Sequence, residues 1–420
     1  MTTYNPIVDP KARMINGPVN VIRMEGEVFG IKKIIYLFMD YHMSVTNQTQ
    51  CENVFSKDIQ YFLADNFYKL SNSSTDRIYD FFAEIYPTEL ANTRYQEGIQ
   101  RKDYREKYIE EVVKFFRKIF RYDKQKNKVV INKLFRNVRL HYLDVRDYYK
   151  HNIHHQVSEI TQLAKRFMIN DNIDLRSLNR IIELAKLMGD HFAYIIKILK
   201  KTHDKNDKKE KRPIIIRKRP GSVDRQVLDY LTHKIKSVYK HDKVKDIMNM
   251  LIDNTIKNFE LAIKEIDQAV KRFQKYWDQI KTDDGTLIKD TNTYSYGLSS
   301  YTIRNMIIDI NNTVEKLLEE RFIEFFARLT DIYFLRRFLD KDYITHAIVY
   351  SGALHSNTYV YVLSHFFDFK ITHASYSKIT NMLKLNNEVK NRSLMELQEL
   401  ILPQNFQQCS NLTTFPRDFL

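Results

Sequence analysis

The sequence predicts an α/β protein with a mostly parallel central sheet, built from the N- and C-terminal parts around a large α-helical insertion. A β-branched apolar run at 344–350, followed by Gly352 and then a stretch with helical spacing, is typical of a strand–turn–helix unit in a parallel sheet. Further strand-like runs lie near the N-terminus. Between the two parts, apolar residues from Ile252 to Ile280 alternate steps of four and three, which predicts a long helix.

Residues 1–147 form the first part of the predicted α/β domain. Short apolar runs there indicate strands, and apolar residues that recur every three or four positions indicate helices. The expected elements are strands at 20–25, 33–38, 77–86 and 137–145 and helices at 56–70 and 104–120. A turn at 26–30 joins the first two strands, and Glu84 falls near the end of the third.

Residues 148–340 form the predicted helical insertion. Helix candidates at 159–168 and 175–200 precede a basic loop at 200–219, which holds ten Lys or Arg residues and three acidic ones. The heptad helix is expected to pair with a second long helix at 302–339 as an antiparallel hairpin. The end of that hairpin leads into the last part of the chain.

Residues 341–420 return the chain to the α/β domain. The strand at 344–350 is followed by a helix around 359–366 and a second extended piece at 369–373. A short helix is expected at 394–401, before an irregular tail. Strands from the two ends of the chain must therefore pair around the insertion.

The composition excludes several classes of protein. The chain of 420 residues has no apolar run of membrane-spanning length and no secretory leader, so no membrane partner is expected. Two cysteines rule out a disulfide framework and favour a reducing, intracellular compartment. The net charge of +15 is spread along the chain, so it indicates either solvated surfaces or an anionic partner. Phosphate-loop, dinucleotide-binding and G-x-S-x-G motifs are missing.

Polar side chains fall at or just after the predicted strand ends. Because α/β folds bind ligands at the carboxyl ends of their strands, these residues are candidates for one catalytic site. The candidates are Asp40, His42, Glu84, Asp144, Arg146 and His355. Each also has a structural interpretation: a histidine after a strand is often a satisfied packing residue, and the carboxylates would then pair with Arg146 or cap helices.

The residues Gly352-Ala353-Leu354-His355 and Met39-Asp40-Tyr41-His42 resemble the two G-x-x-H motifs of the TraB/Tiki, erythromycin-esterase and haem-uptake ChaN-like superfamily. In that superfamily a helical insert separates the motifs, and acidic residues end further strands, which Glu84 and Asp144 would match. The resemblance covers about 20–148 and 340–380. The first motif departs from the pattern, since Met39 stands where the superfamily has glycine.

The resemblance implies a hydrolase of the esterase or metal-dependent peptidase type, with an unidentified small-molecule or peptide substrate. His42 and His355 would act either as general base or, with Glu84 or Asp144, as ligands of a divalent metal that activates water. The whole chain also resembles uncharacterised proteins of giant DNA viruses, and the host cytoplasm or the virion would then be its location.

A non-enzymatic interaction protein is the competing interpretation. The side chain of Met39 would crowd the close approach that glycine permits, which would leave the site vestigial. Nucleic acid or a protein partner would then bind the basic insertion, through Lys208, Lys209, Arg212, Arg217, Lys218 and Arg219.

Overall fold

The structure is a computed structural model. It describes residues 9–43, 51–84, 107–123, 128–130, 132–145, 153–200, 232, 235–236, 239–281, 300–405 and 407–420. Contacts divide the chain into two units. The first contains residues 1–144 and 333–420, and the second contains residues 145–332.

The strands and helices follow one another along the chain in a mixed order. The strands are β1 (Met14–Asn16), β2 (Asn20–Val28), β3 (Ile31–Asp40), β4 (Lys57–Asp58), β5 (Tyr79–Ala83), β6 (Tyr122–Asp123), β7 (Lys128–Val129), β8 (Val138–Tyr142), β9 (His346–Gly352), β10 (Lys370–Ala374) and β11 (Cys409–Asn411). The helices are α1 (Ile59–Asn72), α2 (Tyr108–Ile119), α3 (His154–Asn170), α4 (Leu175–Lys200), α5 (Asp242–Ile280), α6 (Ser300–Thr313), α7 (Arg321–Asp340), α8 (Ala353–Phe367), α9 (Met382–Asn391) and α10 (Leu394–Ile401). A π-helical segment, Val314–Glu320, joins α6 to α7.

The main sheet of the first unit has the strand order β10-β2-β3-β9-β5-β8. The strands β3, β9, β5 and β8 are parallel to one another, and β2 and β10 add antiparallel pairs at one side. The predicted α/β class with a mostly parallel sheet is therefore confirmed. The strand β9 comes from the C-terminal part, yet it lies between β3 and β5 of the N-terminal part, so neither part can complete the sheet alone.

The first two main-sheet strands form a tighter hairpin than the sequence predicts. They pair from Asn20 with Met39 to Val28 with Ile31, which leaves only Phe29 and Gly30 as the turn. Both turn residues have positive φ values, 54° and 78°, as a type I′ turn requires. The long strand β3 is buried from Lys33 to Asp40, which fits a strand covered on both faces.

One face of the sheet is covered by α1 and α2 over a core rich in aromatic rings. Phe67 of α1 contacts the rings of Phe81, Phe116, Phe135 and Phe419 at centroid distances of 5.2–6.2 Å. Because Phe419 belongs to the last residues of the chain, the predicted irregular tail is in fact part of the core. It also contains β11, which pairs with β1.

Cys51 and Cys409 form a disulfide bond, with their Cα atoms 5.1 Å apart. The two residues are separated by 358 positions in the sequence, and their spacing gave no sign of the pairing. The expectation of a reducing compartment rested on the small number of cysteines, and the bond between these two removes that support. It links the segment after β3 to β11.

The second unit is helical, and the long helix predicted from the heptad pattern is confirmed as α5. Along α5, Arg272 pairs with Asp309 at 3.3 Å, Glu265 with Arg321 at 3.3 Å, and Phe259 with Phe325 at a ring distance of 4.1 Å. The partner numbers rise as the α5 numbers fall, so the predicted antiparallel hairpin is also confirmed.

Helix α4 is a second partner of α5 that the sequence did not assign. The two helices pack extensively, with the rings of Phe192 and Phe259 at 4.9 Å and Lys200 bonded to Glu260. The seam residues Ile252, Phe259, Ile266 and Phe273 are at most 1% exposed. The heptad seam thus packs within the chain.

Candidate active site

The strands β3, β9 and β5 end at the same edge of the sheet. In the pairing of β3 with β9, Asp40 lies opposite Gly352, and in the pairing of β5 with β9, Ala83 lies opposite Tyr350. The next residues of these strands therefore leave the sheet at one place. This register brings His42, Glu84 and His355 together, although they lie far apart in the sequence.

Glu84 lies between two imidazole rings, and we call these three residues the His–Glu–His cluster. Its Oε2 is 3.5 Å from Nε2 of His42, and its Oε1 is 3.5 Å from Nε2 of His355. The side chains of Glu84 and His355 are 5% and 7% exposed, whereas that of His42 is 36% exposed. His42 is therefore the member that solvent, or a ligand, reaches most easily.

Gly352 permits the close approach of His42 to Glu84. Its backbone N–H donates to Oε2 of Glu84 at 2.9 Å. A Cβ atom built on Gly352 would lie only 2.7 Å from Nε2 of His42, which is closer than two such atoms can pack. Gly352 also caps α8, so the positive end of the helix dipole faces the Glu84 carboxylate. A side chain at this position would force the imidazole of His42 to move from where it lies.

The backbone of His42 adopts the left-handed conformation, with φ at 56°. This region is sparsely populated by residues other than glycine, although histidine is among those enriched there. The backbone N–H of His42 donates to Oδ1 of Asp40, and the hydroxyl of Tyr350 donates to Oδ2 of the same carboxylate. Asp40 and Tyr350 are both buried. The sharp turn after β3 is thus fixed by hydrogen bonds from two sides.

The charges of the cluster shift the pKa values of its members. Burial acts to raise the pKa of Glu84, but the neighbouring His355 and His42 outweigh it, and that pKa lies well below its usual range. Burial acts to lower the pKa of His42, yet Glu84 and Asp40 outweigh it and the pKa rises. For Asp40, burial raises the pKa and is only partly offset by His42 and Tyr350. Glu84 is therefore an anion at neutral pH, and it favours the protonated form of His42.

The arrangement can hold and transfer protons. With Nε2 of His42 directed at the Glu84 carboxylate, Nδ1 is left as the nitrogen that can accept a proton from water. Among the described residues, no group of three or more His, Cys, Asp or Glu side chains has the geometry to hold a metal ion. A divalent metal on His42 and His355 remains an alternative interpretation of the sequence.

Two other predicted site residues, Asp144 and Arg146, are not members of the His–Glu–His cluster. Asp144 follows β8, at the same sheet edge but one strand beyond Glu84, and it is buried. Its membership of the site remains a prediction. Met39 is a fully buried residue of β3, paired with Ser351. Arg146 lies outside the described residues, and so do the six basic residues of the predicted nucleic-acid surface (208, 209, 212, 217, 218 and 219).

Sequence reasoning missed Tyr350, which was assigned only as an apolar strand residue. Tyr350 pairs with Phe38, so it lies diagonally across from Asp40 on the neighbouring strand. A tyrosine two residues before the glycine of a G-x-x-H motif is a local signal that could have identified it. The register that brings its hydroxyl to Asp40 is not visible in the sequence.

Comparisons with known proteins place the chain among giant-virus proteins. The model of a family of unknown function, DUF5847, matches residues 13–420. The chain is 53% identical over its whole length to the whole of the uncharacterised protein R706 of Acanthamoeba polyphaga mimivirus. It is 33% identical to the uncharacterised proteins R160 and R161 of the same virus, over 98% of this chain and 99% of each of theirs. No solved structure matches the chain.

The predicted resemblance to giant-virus proteins is confirmed by these relatives. Within the part of the chain that the structure describes, no helix has the length and apolar character needed to cross a membrane.

Proposed function

We propose that the chain, which belongs to the DUF5847 family of unknown function, is a hydrolase that cleaves an ester or amide bond with the His–Glu–His cluster. The observation that carries the proposal is the position of Glu84, whose two carboxylate oxygens each face an imidazole Nε2 at 3.5 Å. A buried carboxylate that orients a half-exposed histidine is the arrangement used for general-base catalysis.

In the proposed reaction, His42 removes a proton from a water molecule while the water oxygen attacks the carbonyl carbon of the substrate. Glu84 orients the imidazole and stabilises the imidazolium ion that forms. The imidazolium then returns the proton to the leaving oxygen or nitrogen as the bond to the carbonyl carbon breaks. His355, which is buried on the first turn of α8, holds the second oxygen of Glu84 in place.

The resemblance to the TraB/Tiki, erythromycin-esterase and ChaN-like superfamily supports the proposal. His42 and His355 are the histidines of the two motifs that carry this resemblance, and they lie on either side of Glu84. Gly352, which belongs to the intact second motif, has no side chain and so leaves room for His42 to lie close to Glu84. Location in the host cytoplasm or the virion stays a prediction.

His42→Ala and His355→Ala are expected to test this function directly. Each variant should lower kcat/KM for ester or peptide substrates by about 10²–10⁴-fold, because each removes part of the general-base system. His155→Ala, at an exposed histidine of α3, is the matched control and should leave turnover unchanged. Turnover is measured on a panel of chromogenic esters and peptides, with melting temperatures for all three variants.

The same assays separate the alternatives. Loss of turnover in EDTA, with recovery in zinc or manganese, would assign the histidines as metal ligands. Wild-type behaviour of both histidine variants would contradict the proposal. Binding of nucleic acid that weakens when the charges of the basic loop at 200–219 are reversed, with a smaller dependence on salt, would then favour the interaction protein.

The pH profile provides an independent check. A general base must be neutral to act, and the pKa of His42 is raised by Glu84 and Asp40. We therefore expect log kcat/KM to fall as the pH is lowered through a value above the ordinary histidine pKa of about 6.5. Glu84→Gln removes the nearest negative charge, and its residual activity should fall off at a lower pH. An acid limb well below 6.5 in the wild-type protein would exclude His42 as the base.

A further inference from the structure

The turn after β3 must be stabilised by specific contacts, because His42 adopts the left-handed backbone conformation and is not a glycine. Its φ of 56° sets the direction in which the imidazole leaves the chain. In this direction, Nε2 of His42 faces Oε2 of Glu84 at 3.5 Å. The geometry of the proposed base thus depends on backbone contacts two residues before it.

Asp40 has both of its carboxylate oxygens engaged in such contacts. Oδ1 accepts a hydrogen bond from the backbone N–H of His42, and Oδ2 accepts one from the hydroxyl of Tyr350. The Asp40 side chain is fully buried, as is Tyr350. Nδ1 of His42 is 3.9 Å from Oδ1 of Asp40, which is too long for a hydrogen bond between the two side chains. Asp40 therefore contacts the backbone of His42 and is closed off from a substrate.

We propose that Asp40 and Tyr350 form a positioning pair, in which Tyr350 holds the Asp40 carboxylate and the carboxylate holds His42 in the left-handed turn that directs its imidazole at Glu84. The inference rests on the proposed hydrolase function. In this inference Asp40 positions His42 and does not itself react with the substrate. Tyr350, which no sequence motif includes, is added to the residues that support the site.

The pair links two strands from opposite ends of the chain. Tyr350 belongs to β9, and Asp40 ends β3, which is paired with β9 in parallel. Gly352 of β9 donates to Glu84, and Tyr350 accepts a backbone hydrogen bond from Glu84 at 3.1 Å. One strand therefore positions both His42, through Asp40, and Glu84, through its backbone.

Asp40→Asn and Asp40→Ala distinguish positioning from catalysis. Asparagine keeps an oxygen that can accept from the His42 backbone N–H, and its amide can donate to the Tyr350 oxygen. We expect Asp40→Asn to retain kcat within about threefold, and Asp40→Ala to lose about 10²-fold in kcat with little change in KM. Equal loss in both variants would mean that the charge of Asp40 takes part in the chemistry. Wild-type kcat in Asp40→Ala would overturn the proposal.

Tyr350→Phe tests the second member of the pair. Removal of the hydroxyl leaves Oδ2 of Asp40 without this donor, and kcat is expected to fall about tenfold. Tyr79→Phe is the matched control, since it removes a hydroxyl that donates to the carbonyl of Asp418 at 3.0 Å elsewhere in the unit. An unchanged kcat in Tyr350→Phe would remove Tyr350 from the pair.

A readout without substrate keeps this inference separate from the proposed function. In protein labelled with ¹⁵N-histidine, the pKa of His42 is followed by NMR, and His42→Asn assigns its signals. Tyr350→Phe leaves residue 40 unchanged, so a pKa of His42 that falls toward the ordinary value reports that the carboxylates of Glu84 and Asp40 no longer act on its imidazole as they do in the wild-type protein. This result would support the positioning pair even if no hydrolysis were detected. A His42 pKa identical to the wild-type value would contradict the pair.

Discussion

Gly352→Ala is expected to lower the kcat/KM of the proposed hydrolase by about 10²-fold or more. The new Cβ would lie 2.7 Å from Nε2 of His42 and 3.5 Å from Oε2 of Glu84, so the imidazole must move away from the carboxylate. A displacement of this kind separates the base from the group that orients it. Steady-state kinetics of the variant, together with the pKa of His42 from NMR, measure the effect.

Two other glycine variants serve as controls for Gly352→Ala. A Cβ at Gly189 of α4 meets nothing closer than 3.8 Å, so Gly189→Ala should fold and react as the wild type does. A Cβ at Gly26 would lie 2.4 Å from the ring of Phe369, so Gly26→Ala should destabilise the first unit without contacting the cluster. If Gly352→Ala retained full turnover, the His–Glu–His cluster could not be the catalytic centre.

Phe259→Ala is expected to reduce the free energy of unfolding of the second unit by about 3–5 kcal/mol. The ring of Phe259 is fully buried, and it contacts Phe192 of α4 and Phe325 of α7 at centroid distances of 4.9 and 4.1 Å. Its removal leaves a cavity where three helices of this unit meet. Urea denaturation, followed by circular dichroism, measures the change.

Leu261→Ala, on the same helix, is the matched control. Leu261 is 48% exposed, and its truncation should change the stability by no more than about 0.5 kcal/mol. A loss below 1 kcal/mol in Phe259→Ala would show that the seam of α5 is not the core of this unit.

Local periodicity was enough to predict most of the elements. The heptad pattern gave α5, and the helix expected at 394–401 is observed as Leu394–Ile401. Apolar runs identified β3 and β9, since a strand covered on both faces must be apolar along its whole length. The helix after Gly352 begins at Ala353, earlier than predicted. The prediction began too late because the first residues of this helix include buried polar side chains, such as those of Ser356 and Asn357. Such residues do not produce an apolar periodicity.

The candidate site was only partly predictable. The polarity of strand ends selected His42, Glu84 and His355, and the structure brings these three together. The same rule selected Asp144, whose participation in the site stays a prediction. Tyr350 was not identified, because the role of its hydroxyl depends on a hydrogen bond to Asp40, which lies 310 positions earlier in the chain.

The sequence by itself determined the local elements, since the spacing of apolar residues directly reflects which side of a helix or strand is buried. The tertiary structure alone decided that β9 inserts between β3 and β5, that Gly352 meets His42, and that Cys51 bonds to Cys409. These contacts depend on the register between distant strands, and a shift of one residue would turn every side chain to the opposite face. A register of this kind depends on the packing of all the elements together, and no single segment carries it.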